Sequence, residues 1–496
     1  MTDNRPVLEL DVAVARGWAL LVARLAIGLY LVELLLNLTR PKVFPDEPAL
    51  TIFEFPGEDA LSSALGGLGS MYDVPRAAFW GVLTGITVGI VLQVIAARGP
   101  SEGRRATVLA WVTLAALLGS FSLFSLFFIL KSPLIALACV PTSAFALWLM
   151  HRCQWFARLP VPMLLTTFGW GALVQFGLGR ACTSLASGTI YGHLGKDMDS
   201  ELGFQLSDIY RATDLALLHL SVVNQLAGAA GIVLLLMMFR HRVTDVVTGL
   251  VLGAATGLGY NFSESVLFIR LWGDLTGQFN GATGGFEYWI RQGAGLFGGQ
   301  VVCGALLGAG IGLAAGVRGR GRRGGIVAAG LVAAVGAAVA NETLAAWFSK
   351  LAHGHVDIGG TFDTLVISPA LWLAPQVPFF VVCVLLLRSG LRERAAAARQ
   401  AVTAEAAAGG VIAAREVPFL VDPALRFWTL VSTWRRHGHD AALALRRFQR
   451  AQLEVAGWLW QRARADEVPG AEEREGAELR EKVLRLRTDV DRLVAP

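Results

Sequence analysis

Charge is what this sequence has little of. Asp, Glu, Lys and Arg make up 16% of its 496 residues, where ordinary soluble domains carry about 25%. So few charged groups cannot cover the apolar surface of a chain that is 54% hydrophobic, which excludes an ordinary water-soluble globule. Cysteine is scarce as well. Cys139, Cys153, Cys182, Cys303 and Cys383 are scattered, with no pair at metal-ligand spacing and no pattern of a disulfide framework. Four of them fall in or beside apolar runs, where a small buried side chain is expected. There is no small-residue cleavage site after the apolar run from Gly17 to Leu38, so that run reads as a retained span and not as a signal peptide. No internal repeat is visible.

Long apolar runs are abundant. A membrane span needs about 20 mostly apolar residues, and ten segments qualify: 17–38, 77–97, 106–130, 133–150, 160–179, 214–239, 246–270, 292–317, 325–348 and 368–387. The third and fourth are divided only by Lys131-Ser132-Pro133. The expected fold class is therefore all-α, a polytopic transmembrane helical bundle with a C-terminal cytosolic helical region. The 56 glycines fit helices that approach closely in lipid.

Loop charge sets the expected direction. Arg98, Arg104 and Arg105 follow span two, Arg152 and Arg158 span four, Arg240 and Arg242 span six, and Arg318, Arg320, Arg322 and Arg323 span eight. The alternate loops are acidic or mixed, with Asp46, Glu47, Glu54, Glu58 and Asp59 in one and Asp197, Asp199, Glu201 and Asp208 in another. Basic clusters mark the cytoplasmic side, so both termini are expected in the cytoplasm and the lipid bilayer is the first partner.

Composition divides the chain into a five-span region 1–213, a four-helix block 214–348, an outer loop with the last span 349–387, and a basic tail 388–496. In the tail, Trp428, Trp434, Trp458 and Trp460 interleave with Arg435, Arg436, Arg446, Arg447, Arg450, Arg462 and Arg464. The pattern suits an amphipathic helix in the headgroup layer equally with a small bundle whose tryptophans form its core. Asp422, Asp440 and Glu454 among the basic residues speak against nucleic acid as a partner. From Glu472 the charges alternate, with Leu479, Val483 and Leu486 spaced as a weak coiled-coil seam.

Polar groups at membrane depth are costly, by insertion scales about 2.5–3.5 kcal/mol for a charge at the centre of a span. Span one carries Arg24 and Glu33, too far apart along a helix to pair with each other. Span six carries His219, Asn224 and Gln225, span seven Tyr260, Asn261, Ser263 and Glu264, span eight Gln300, and span nine Asn341 and Glu342. Counted from the outer boundary at a 1.5 Å rise per residue, Asn224, Tyr260, Glu264, Gln300 and Asn341 fall in one layer about 6 Å thick. Asn and Gln can simply tie helices together, but four helices with polar groups at one level mark a site or the remains of one.

Gly253-Ala254-Ala255-Thr256-Gly257-Leu258-Gly259-Tyr260-Asn261-Phe262-Ser263-Glu264-Ser265, the Arg240-His241-Arg242 link before it, and Arg291 and Gly308 of span eight resemble the PrsW family of intramembrane metalloproteases, relatives of the CAAX prenyl endopeptidases. The resemblance implies an intramembrane peptidase of a bacterial inner membrane. Its site would combine a glutamate pair followed by lysine on the first helix of the block, a glutamate on the second, and histidines on the next two, binding zinc and activating water. This sequence departs from that set. Asn224 and Gln225 stand for the glutamate pair and Gly228 for the lysine, Gln300 for the first histidine with Gly304 for its threonine partner, and Ala337 for the second histidine with Asn341 as the surviving partner. Glu264 remains as the candidate catalytic residue, followed by Ser265 where the family has Asn. Neutral amides are weak ligands for a divalent cation and cannot act as general bases, so the expectation is a pseudoenzyme without bound zinc that holds a transmembrane protein or peptide. Two alternatives stand beside it: an active protease using Glu264 with Glu342, His219 or the outer-loop His353 and His355, and a transporter or channel subunit using the same polar layer.

Overall fold

The structure is a computed structural model that describes residues 5–42, 50, 69–98, 104–154, 159–195, 215, 218–219, 222–223, 225–228, 245–278, 284–317, 319–353, 361–464 and 471–494. Every regular element among them is helical: α1 (Arg5–Leu38), α2 (Gly69–Arg98), α3 (Arg104–Gly119), α4 (Ser122–Lys131), α5 (Pro133–Cys153), α6 (Val161–Gly169), α7 (Phe176–Gly195), α8 (Val246–Gln278), α9 (Gly284–Tyr288), α10 (Gln300–Ala315), α11 (Arg320–His353), α12 (Ser368–Leu373), α13 (Val377–Ala407), α14 (Val417–Val421), α15 (Pro423–Arg464) and α16 (Ala471–Val494), joined in places by single π or 3-10 turns.

Among the described residues, six helical segments are long and apolar enough to cross a membrane, or seven if the bent pair α3–α4 is one span. They are 77–96, 133–153, 161–190, 246–270, 320–341 and 365–407, and the bent pair turns by 58°. Ten were expected, and the difference has local causes. Span eight is interrupted: a π-helical turn at Trp289–Ala294 and a break at Gly295–Gly299 leave α10 only 16 residues long. Span one lies inside α1, several of whose side chains fall outside what the structure describes. Most of span six lies outside the described residues. Lys131-Ser132-Pro133 does divide α4 from α5, with Pro133 at the first helical position, where its missing N–H costs nothing.

The central packing unit is α8 against α10, and sequence explains why. Glycines recur every four residues on both helices and face each other: a Cβ at Gly253 would sit 1.8 Å from the Gly304 carbonyl oxygen, and one at Gly249 2.1 Å from that of Gly308. Only hydrogen fits, so the backbones touch, as in other small-residue membrane contacts. The π turn at Trp170–Gln175 lies on another side of α8, where Gly171 meets the Thr256 carbonyl and Gly259 the Phe168 carbonyl. These close approaches bury α8 on nearly every side and hold Tyr260 to Glu264 at the junction of several helices.

At the start of α8, Asp245 accepts hydrogen bonds from the Thr248 amide (3.1 Å) and hydroxyl (2.5 Å), capping the helix. Arg394 of α13 grips the same carboxylate through Nε and through Nη2 (2.7 Å), and is itself almost wholly buried. Burial alone would push the Asp245 carboxyl up, but Arg394 and Thr248 hold it below the ordinary carboxylate range. Trp460 of α15 covers the Arg394 guanidinium at 5.8 Å.

The tail builds its own core from Val402, Ile412, Leu420, Phe448, Ala451, Val455, Ala456 and Val483, with Leu479 and Leu486 packed alongside. Trp458 is buried there between Arg462 and Arg480, whereas Trp428 and Trp434 are 61% and 57% exposed. The bundle reading thus describes α13–α16 and Trp458, while the first half of α15 keeps an exposed aromatic face. α15 is kinked at Gly438, whose φ of +86° suits glycine.

Candidate functional site

The break between the π turn and α10 is where the polar layer is organised. Gly299 adopts φ +55°, a left-handed conformation that favours glycine, and this turns the chain so that backbone groups of 298–300 face neighbouring side chains. Asn261 of α8 donates to the Gly298 carbonyl (3.1 Å) and accepts from the Gln300 amide N–H (3.3 Å). The Gly299 N–H donates to the side-chain oxygen of Gln376, and Gln376 Nε2 donates to Asn341 of α11 (2.7 Å) and to the Trp372 carbonyl (3.0 Å). Gln225 Nε2 donates to Gln300 Oε1 at 2.6 Å. The side chains of Gln225, Gln300, Asn261, Gln376 and Asn341 therefore form one cluster of carboxamides around the helix break.

The structure brings together several residues singled out in the sequence. Gln225 and Gln300 touch, Asn341 joins them through Gln376, and Asn261 braces the loop between. Ala337 is buried one turn from Asn341, in the apolar core formed with α8 and α10. Gly228 leaves room beside Gln175, whose Nε2 would lie 3.0 Å from a Cβ there. Tyr260 is fully buried edge-on to Phe176, ring centroids 5.3 Å apart. Ser263 donates to the Ala172 carbonyl (2.7 Å). Asn224, His355 and the side chains of Glu342 and His353 lie outside what the structure describes.

Glu264 stands apart from the amide cluster, three residues along α8 from Asn261. Its carboxylate pairs with Arg291 Nη1 at 3.3 Å, while Arg291 Nε reaches Glu287 at 3.1 Å. The Arg291 guanidinium also lies over the Phe268 ring, 4.5 Å from its centroid. His219 is engaged elsewhere: its Nε2 lies 2.5 Å from Glu33 of α1. The partner that Glu33 needs at membrane depth is thus on another helix, while Arg24 is exposed.

Gln376 is the residue that sequence reasoning missed. It follows Pro375 inside the last span, 368–387, and reads as an incidental polar residue there. The only signal was an amide in an otherwise apolar run, weaker than the motifs upstream.

Residues 159–374 match the model of the PrsW family of intramembrane metalloproteases. That part of the chain is similar to the PrsW family. The match opens at the start of α6, takes in Glu264 and Gln300, and ends two residues before Gln376, so the cluster's bridging amide lies just beyond it. No curated protein and no solved structure matches the chain. The zinc that PrsW peptidases imply needs about three imidazole or anionic ligands. Among the described residues no group of three or more His, Cys, Asp or Glu side chains is placed to hold a metal ion. At the positions the resemblance singled out, the described side chains are Gln225, Gln300 and Ala337, and Glu264 is paired with Arg291.

Proposed function

We propose that this protein is a PrsW-family homologue whose peptidase site has become a neutral binding site, which holds a transmembrane segment or peptide without cutting it. One observation carries the reading: Gln225 and Gln300, at positions where the resemblance calls for a carboxylate and an imidazole, are hydrogen-bonded to each other at 2.6 Å. An amide pair satisfies its donors and acceptors without charge, and neither member can take a proton from water near neutral pH. The cluster still offers hydrogen-bonding groups inside an apolar bundle. Such groups recognise a segment whose backbone is partly unwound, because unsatisfied peptide groups are costly in lipid.

The basic even-numbered loops support a plasma-membrane protein with both termini in the cytoplasm, and the boundaries at 213, 348 and 387 follow the composition shifts. The reading as an active protease with rearranged residues draws support from the retained Glu264. It is disfavoured because Glu264 and His219, its two described candidates, are bound to Arg291 and Glu33 respectively.

The test is metal content and peptide hydrolysis of purified protein in detergent, with and without added zinc, beside photocrosslinking from position 300 to single-pass membrane peptides. Crosslinking without cleavage supports the proposal. Stoichiometric zinc with chelator-sensitive hydrolysis that is lost in Glu264→Gln overturns it.

A further inference from the structure

Among the described residues, no carboxylate pairs with Arg180 of α7. Its guanidinium lies over the rings of Phe176 and Phe268, 5.4 and 5.2 Å from their centroids. Its Nε and Nη2 are buried and have no hydrogen-bond partner. These two nitrogens form one edge of the guanidinium, with two N–H bonds pointing the same way, spaced for two oxygens of a single anion. The same molecule shows how that edge is used elsewhere. Arg394 turns Nε and Nη2 on the two oxygens of Asp245. Arg480 turns them on the two oxygens of Glu405, at 2.8 and 2.9 Å. On Arg180 no described residue fills the fork.

Nearby charge makes the vacancy sharper. Arg291 lies over the same Phe268 ring, and the carboxylates within its reach, Glu264 and Glu287, are committed to it. Two guanidiniums thus share one aromatic ring, and one of them is uncompensated. Leaving buried charged donors unpaired is costly, a cost that a two-oxygen anion would remove. Phe268 lies two residues from the end of the 246–270 apolar stretch, and the abundant two-oxygen anion where a span leaves the hydrocarbon is the phosphodiester of a phospholipid.

We propose that Arg180, seated between Phe176 and Phe268 and backed by Arg291, is a phosphate-binding site for one phospholipid headgroup. Two oxygens of the phosphodiester would accept from Nε and Nη2, and the acyl chains would lie along the apolar flank of the bundle. The site is separate from the amide cluster, and its occupancy does not depend on whether that cluster binds a peptide or cleaves one.

The test titrates full-length protein in detergent with phosphatidylglycerol and reads bound lipid by native mass spectrometry. One lipid per chain is expected for the wild type, with affinity about tenfold weaker in Arg180→Gln and intermediate in Arg180→Lys, which keeps the charge but loses the fork. Arg105→Gln, an exposed arginine on another helix, should match the wild type. Should Arg180→Gln retain lipid as the wild type does, the proposal fails. It also fails if glycerol phosphate displaces the lipid at equal concentration, since the ligand would then be free phosphate. A wild type that takes up no lipid, with Arg180→Gln lowering its melting temperature in lipid-free detergent, would assign the fork to a carboxylate of the chain itself.

Discussion

Gln225 and Gln300 meet at 2.6 Å although 74 residues separate them along the chain. The contact joins Gln225, which precedes α8 in the chain, to the first residue of α10, and one neutral hydrogen bond stands where the PrsW resemblance expects charged ligands. A carboxylate and an imidazole held that close would attract a cation; two amides attract each other. If this exchange is what silences the site, reversing it should restore metal affinity. Asn224→Glu, Gln225→Glu, Gln300→His and Ala337→His together should bring about one zinc ion per chain, where the wild type binds none after chelator treatment. Because Ala337 is packed in the core, histidine there should cost about 1–3 kcal/mol, so the first three changes are to be measured separately. Elemental analysis showing no gain in either variant would count against a shared site.

Arg394→Met should be severely destabilising. It leaves the Asp245 carboxylate buried without its cation, for which a loss of about 3–5 kcal/mol is typical. Pairing it with Asp245→Leu should recover most of that loss, since both charges are then gone. Thermal unfolding in a single detergent, compared across the two single variants and the double, measures the coupling; additive losses would show that the pair contributes little.

The same pair gives a pH dependence with a defined sign. Arg394 and Thr248 hold the native Asp245 carboxyl below its ordinary value, so the native state binds this proton less readily than the unfolded chain. The stabilisation is fully present above the unfolded value of about 3.9 and is lost as pH falls through the lower native one. The melting temperature should therefore drop below about pH 4 in the wild type, and the drop should be smaller in Asp245→Asn.

Gly253→Leu should abolish accumulation of folded protein, because even its Cβ would lie 1.8 Å from the Gly304 carbonyl. Gly336→Ala, on an exposed side of α11 with nothing within 4 Å of the new Cβ, should be neutral or stabilising by up to about 1 kcal/mol, the helix-propensity difference. Yield of monodisperse protein by size-exclusion chromatography separates the two outcomes.

Gln376→Leu should loosen the amide cluster without emptying the core, because leucine fills a similar volume but leaves the Gly299 N–H and Asn341 without this partner. An orphaned buried donor costs about 1–3 kcal/mol. Hydrogen exchange should rise at 298–300 and around 341 and stay unchanged in α7; uniform exchange would show that the bridge is dispensable.

The glycine spacing in α8, the polar layer and the family resemblance were legible in the sequence because each is a periodic or motif-level signal. Depth put Asn224, the neighbour of Gln225, in one layer with Gln300, but the Gln225–Gln300 contact itself did not follow from it. Gln376 was not legible: it lies in an apolar run past the end of the family match, and only the fold shows that its turn meets the Gly299 loop. Depth also suggested that Glu264 would share the layer with the amides. Lateral direction matters as much as height, and Arg291 draws Glu264 to a neighbouring face. The interruption of span eight was hidden because Gly295-Leu296-Phe297-Gly298-Gly299 is as apolar as a helix, while Gly299 has the backbone freedom to end one.

Where α8 and α10 touch backbone to backbone, no side chain is left that could rotate aside. The two helices must move as a single plank, and no guest can wedge between them. A segment bound at the amides, as proposed, would therefore have to come from the side of Gln225 or of Gln376 and not through the seam of glycines.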